Sequence, residues 1–304
     1  MKKTLTFLVL LSFIISINIS QAQIKVFTGT EHGTYYELAN DMNALLPSNT
    51  ADSTETVPFL APKTTTGSAL NFDLLSDPEN EAKVAFMQLD LLLLKKAEDM
   101  LNGTSFTKDL VVLMPLNVEA IHLITKEKSS INSLATLSGA KVIIGNQKEG
   151  TYFTATYIQN VSKVDWLSKN IGTQDAIKPL MLDKVNAFFM VATYPMDLLE
   201  TLPTQTGVKY KLVSLENING WADIYTPITI PAGTYHWQKT DVSTYGVPSV
   251  VVVNTAKITE SEKQQLLQWK ALTIENLETL KIKGSPVWKT ATINNWDSSI
   301  WPQL

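Results

Sequence analysis

The sequence predicts an α/β fold of two lobes with a hinge and a ligand-sized cleft between them. Three observations carry that expectation. Short apolar runs alternate with helix-like segments along most of the chain. Two strands follow one another almost directly around Pro115, with no helix between them. Three polar, glycine-containing loops stand just ahead of predicted helices, where α/β proteins place their ligands.

Candidate strands cover residues 24–28, 83–87, 110–114, 120–125, 141–144, 187–191, 209–215 and 248–254. Most are continuous apolar runs, the pattern of strands buried on both faces of a sheet. Candidate helices cover 34–46, 67–75, 91–101, 151–160, 173–182, 195–202 and 261–280. The alternation argues for right-handed crossovers. The length admits one doubly wound sheet or two lobes, and the closely joined strands at 110–125 favour two. Lobe 1 is expected to take residues 23–116 and 241–304, and lobe 2 residues 117–240.

Of 304 residues, 44% are hydrophobic and 18% charged, an ordinary globular composition. The formal net charge of -4 offers no basic field for nucleic acid. Cys is absent, which excludes disulfides, thiolate metal sites and cysteine nucleophiles. All 25 basic residues are Lys, so no guanidinium fork is available to grip a carboxylate. His32, His122 and His236 are scattered without metal-ligand spacing. No metal and no cofactor is therefore expected. The chain shows neither a G-x-S-x-G elbow nor a paired-carboxylate motif, so no catalytic residue is assigned and a binding role is favoured over an enzyme.

The N-terminus reads as a secretory signal peptide over residues 1–22. Met1-Lys2-Lys3 is followed by an apolar run to Ile19, with Ser20 and Ala22 at the small positions of a cleavage site. No later run is long and apolar enough to span a bilayer, which takes about 20 residues. An exported protein, soluble after cleavage near Ala22 and monomeric, is expected.

The first of the three loops is Gly29-Thr30-Glu31-His32-Gly33-Thr34, between an apolar strand and a helix carrying Tyr35 and Tyr36. The second is Thr66-Gly67-Ser68. The third runs from Gly145 to Gly150-Thr151. Backbone N–H groups at such helix starts face outward at the positive end of the helix, where they receive an anionic group. Each loop also reads as an ordinary strand-to-helix turn with a cap. Tyr35 or Tyr36 would lie along the apolar part of a ligand. Gln88 and Asp90 stand at the C-terminal end of a strand. Asp90 has two readings, a partner for a ligand amine or a cap for the helix at 91–101.

Taken in order, these segments resemble the TAXI family, the solute receptors of TRAP-type transporters. Thr28-Gly29-Thr30-Glu31-His32-Gly33-Thr34-Tyr35-Tyr36 is similar to its T-G-x-x-x-G-x-Y-Y. Thr66-Gly67-Ser68 with Asn71, Ala85 to Asp90 ("A-x-x-Q-x-D"), Ser133 to Val142, Ala187 to Pro195, and Thr229 to Tyr235 resemble further segments of it. The family's glycine-rich P-P-G-S-G-T loop is here Asn146 to Thr151, and the glycine preceding its proline is missing, with Tyr194 in its neighbourhood. The resemblance implies a type II periplasmic-binding-protein fold closing over a small molecule. It implies glutamate-like amino acids or other small carboxylates as ligands, and a TRAP permease as partner. A membrane sensor is the alternative partner.

Overall fold

The computed structural model describes residues 23–31, 33–46, 59–202, 208–291, 293 and 296–304. The expected signal peptide and His32 lie outside the described residues. Among the described residues no helix is long and apolar enough to cross a membrane.

The strands are β1 (Ile24–Phe27), β2 (Leu60–Lys63), β3 (Val84–Gln88), β4 (Leu110–Lys126), β5 (Lys141–Ile143), β6 (Leu167–Lys169), β7 (Ala187–Ala192), β8 (Tyr210–Leu212), β9 (Thr226–Ile230) and β10 (Val242–Asn254). The helices are α1 (Thr34–Asn43), α2 (Ser68–Ser76), α3 (Leu89–Asn102), α4 (Gly150–Ser162), α5 (Ile177–Met181), α6 (Asp197–Glu200), α7 (Glu260–Glu275) and α8 (Leu277–Lys283). The strand order is β2-β1-β3-β10-β4-β7-β5-β6, with β8 on β4 and β9 on β10.

β4 and β10 organise the molecule. They run antiparallel through its whole length and exchange neighbours midway. Residues 110–115 of β4 pair with 250–254 of β10, whose other side carries β3. Residues 120–126 of β4 pair instead with β7 and β8, and residues 242–246 of β10 with β9. The two separate strands expected around Pro115 are thus one strand, and the sheet is continuous. Pro115 is tolerated because the register slips beside it, between Pro248 and Val250 of β10.

Burial follows the strand period of two on both faces. Val84 and Phe86 join a cluster with Leu38 and Met42 of α1 and Leu266 and Trp269 of α7. Ala85 and Met87 face the other way, onto Phe72 and Leu75 of α2 and Leu92 of α3. The second half repeats this plan. Phe189 and Val142 pack on Ile158 and Trp166, while Phe188 and Ile143 pack on Leu180 and Tyr235. Each fully buried Phe or Leu contributes about 1.5–3 kcal/mol.

Three strands were not visible in the sequence. β2 contains Pro62 and lies at one edge, β6 is exposed throughout at the other, and β9 carries Pro227 with mostly exposed residues. Edge strands lack the apolar signature because one side has no neighbour. The helix expected at 261–280 divides at Asn276 into α7 and α8. The helix expected at 173–182 begins as a separate 3-10 turn at Thr173–Asp175.

Candidate functional site

A cavity of about 120 Å³ opens where β4 and β10 exchange neighbours, between the two halves of the sheet. At about 10–15 Å³ per water-sized group it has room for on the order of ten non-hydrogen atoms.

Three helix starts reach it. α1 begins after Gly33, with Gly29, Thr30, Gly33, Thr34 and Tyr35 on the wall. α2 begins after Gly67, and Thr66, Gly67 and Ser68 line the cavity. α4 begins at Gly150 from the opposite half, with Gly150 and Thr151 on the wall. The residues preceding these helices, Gly33, Gly67 and Glu149, make no side-chain cap bond. By contrast α7, far from the cavity, carries a full capping box of Thr259 and Glu262. A side-chain cap is equally absent at α3, α5, α6 and α8, and at α2 the Leu70 N–H is taken by Lys148 O, so what sets α1, α2 and α4 apart is that their first residues line the cavity.

Local chemistry fixes these loops. The buried amide of Asn71 donates to Thr28 O at 2.6 Å and to Phe86 O at 2.7 Å, tying the ends of β1 and β3 to α2. Gly67 has φ of 122°, where a side chain would be strained. Gly33 has φ of -98°, so the turn itself does not demand glycine; a Cβ there would stand 3.0 Å from Thr30 Oγ1. Gly150 is the most constrained by space, since a Cβ would fall 1.8 Å from Gln88 Oε1.

The polar floor consists of Gln88, which the sequence reading named, and Glu119, which it missed. Glu119, buried on β4, is lined up with Gln88 at the end of β3, whose Nε2 donates to Glu119 Oε2 at 2.8 Å. Burial pushes the Glu119 carboxyl up to about 7, against hydrogen bonds from Gln88 and Tyr35 that favour its charged form. The Tyr35 hydroxyl is raised well above its ordinary value by the same burial and by Glu119 beside it. Ser68 Oγ accepts the Gln88 backbone N–H at 3.1 Å, holding β3 to α2. Gln88 Oε1 is buried without a hydrogen-bond partner in the protein. One signal pointed to Glu119: it is the sole acidic residue in the otherwise uncharged stretch 110–125. Glu149, Thr173, Gln174, Val191, Ala192 and Met196 complete the wall.

Three expected ligand contacts lie elsewhere. Tyr36 sits behind Tyr35 on α1 and outside the cavity wall. Tyr194 turns its hydroxyl to Thr229 O at 3.4 Å, and Met196 reaches the cavity instead. Asp90 lies inside the first turn of α3. Its Oδ2 accepts from the hydroxyls of Thr154 at 2.7 Å and Tyr225 at 2.9 Å, and its Oδ1 from the Leu91 N–H at 2.8 Å. With those acceptors taken, Asp90 ties α3 to α4 and to the loop at Tyr225 across the cleft. Desolvation raises its carboxyl despite these bonds. Further ties join the halves: Thr34 Oγ1 to Thr193 Oγ1 at 2.6 Å, Leu70 N–H to Lys148 O at 3.2 Å, and an ion pair between Lys148 and Asp73.

This architecture is shared with solved structures. It is similar to the alkanesulfonate-binding protein SsuA from Xanthomonas axonopodis pv. citri (12% identity, 92% of this chain and 88% of that one, TM-score 0.51). It is similar to the periplasmic aliphatic sulphonate binding protein SsuA from Escherichia coli (13%, 92% and 83%, TM-score 0.50). It is also similar to the ligand binding component of an ABC-type import system from Staphylococcus aureus (11%, 92% and 89%, TM-score 0.50). At such identities the likeness shows the fold: a mixed α/β fold of the kind found in periplasmic solute-binding proteins. The profile of the NMT1-like family matches residues 26–285, most of the sequence. The chain therefore belongs to the NMT1-like family.

Proposed function

We propose that this protein is an extracytoplasmic solute receptor that captures a small polar molecule by closing two lobes over it and delivers it to a membrane transporter. The observation that carries this reading is the cavity between the halves, walled by three helix starts from both sides and floored by Gln88 and Glu119. The exchange of strand partners supports residues 23–116 with the C-terminal segment as one lobe. The crossings then fall at Asn117–Glu119 on the way out and at Gly246–Ser249 on return, rather than near residue 240. Contacts made by the ligand to both lobes would stabilise the closed form.

The TAXI-like order of motifs favours a TRAP-type permease as the partner, and the apolar N-terminus favours export by a signal peptide cleaved near Ala22. Amino acids and small carboxylates fit the cavity by size. The wall offers hydroxyls, amides and carboxyls that can hold a polar solute. Native mass spectrometry of the purified protein, followed by small-angle scattering with and without the molecule found, tests the reading. A bound compound and a smaller radius of gyration in its presence are expected. Failure of every small polar solute to bind or to compact the protein would overturn it.

A further inference from the structure

The floor of the cavity narrows the solute beyond the receptor reading, on which this inference rests. Glu119 is buried among Gln88, Tyr35 and the strands β4 and β10, with no Arg in the chain and no Lys on the wall among the described residues. Its Oε2 receives the Gln88 amide, and no Lys or Arg pairs with its charge among the described residues. Gln88 Oε1 is pressed toward Gly150 with no donor from the protein. Gln88 Oε1 is thus a buried acceptor without a donor, and Glu119, although it accepts from Gln88 and Tyr35, has no cation beside it; both are relieved when N–H donors and positive charge arrive with the ligand. An amine-free carboxylate cannot supply them and would add negative charge beside Glu119. A cationic nitrogen supplies both N–H donors and the compensating charge.

We infer that Glu119 and Gln88 form a subsite for a cationic nitrogen, so that the solute carries an ammonium-type group at this end and an acceptor group toward the starts of α1 and α2. The solute class is then an amino acid or other amine-bearing polar molecule, and amine-free carboxylates are excluded. Glu119 takes the role that sequence reading gave to Asp90, because Asp90 is already saturated by Thr154, Tyr225 and Leu91.

The subsite has a proton signature. The titratable groups that face Glu119 are Tyr35 from α1 and Asp90 from α3, while Glu149 lines the same cavity from the start of α4. With the carboxyl raised to about 7, Glu119 is partly protonated at neutral pH, and docking of a cation drives that proton off. Binding should release a fraction of a proton at pH 7 and should weaken as pH falls to 5.

The test offers wild type and E119Q an equimolar pool of glycine, L-alanine, L-serine, L-glutamine, 1,4-diaminobutane, acetate, lactate, succinate and glutarate. Native mass spectrometry reads what is bound. Calorimetry at pH 7 in two buffers of different ionisation enthalpy then measures the best binder. We expect adducts only of the amine-bearing compounds, proton release in wild type but not in E119Q, and affinity at least tenfold lower in E119Q. Circular dichroism confirms the fold of E119Q; should it not fold, proton release by wild type decides alone. Binding of the amine-free acids, unchanged affinity in E119Q, or binding without proton release overturns the inference while leaving the receptor reading standing. Binding of nothing in the pool overturns the inference and counts against the receptor reading as well.

Discussion

At the scale of the residue, two buried titratable groups on β4 pull stability in opposite directions with pH. Glu119 is raised from an ordinary 4.5 to about 7, so the folded state holds its proton more tightly than the unfolded chain. That stabilisation is complete below 4.5 and is lost as pH rises to 7, a difference on the order of 3 kcal/mol. His122 is lowered to about 4 by burial, which outweighs the Ala120 and Met190 carbonyls that favour its charged ring. Its contribution is present above 6.5 and is lost as pH falls to about 4. The two slopes offset one another between about 4.5 and 6.5. E119Q removes one of them. It should match wild type near pH 4.5 and exceed it at pH 7, and urea melts at both pH values will show it. Parallel stability curves for the two proteins would refute the assignment. Gly150 is the second residue that the packing constrains. In G150A the new methyl must push the Gln88 amide off Glu119 or hold the halves apart. Affinity for the solute should fall at least tenfold with the melting temperature little changed.

At the scale of the element, α7 is the one described α-helix that begins with a side-chain cap. α7 begins at an exposed Thr259 and carries its own reciprocal cap there, Thr259 with Glu262. T259A should cost about 1 kcal/mol in thermal stability and leave solute affinity untouched, as calorimetry can read on both counts. The starts of α1, α2 and α4 have no side-chain cap, and their first residues line the cavity, although the Leu70 N–H of α2 is taken by Lys148 O. α3 is a different case. Its first turn holds Asp90, which is spent on Thr154 of α4 and on Tyr225. D90A should therefore weaken every solute by a similar factor, about 1–3 kcal/mol, because it loosens the closed form rather than a ligand contact. Discrimination between amine-bearing and amine-free compounds in D90A would place Asp90 in the site after all. The contrast with E119Q, which should be selective, separates closure from recognition.

At the scale of the whole molecule, β4 and β10 are both the core of each half and the connection between halves. Their midpoint is polar: Ser249 Oγ donates to Asn117 Oδ1 at 2.6 Å, and the register slips beside it. Apolar clusters sit on either side of this point but do not run through it as one cluster. Such a waist concentrates bending at a few residues. Small-angle scattering should show S249A with an altered difference between its free and solute-saturated radius of gyration. An unchanged difference would move the hinge away from Asn117 and Ser249.

The sequence by itself determined the α/β class, the central strands and the three glycine-bearing helix starts. Those features are written in local terms: continuous apolar runs for doubly buried strands, and glycine with hydroxyl residues for tight strand-to-helix turns. What it displayed as two strands around Pro115 is one, β4. Only the tertiary structure decided which polar groups face the cavity. Asp90 and Glu119 carry the same chemistry, and nothing within a few residues of either says which has its acceptor sites filled by neighbours. Thr154 and Tyr225, distant in sequence, fill Asp90 away from the cavity wall, whereas Glu119 lines the cavity. Edge strands escaped the sequence for a related reason. Their pairing depends on a neighbour on one side only, and that neighbour is supplied by the fold.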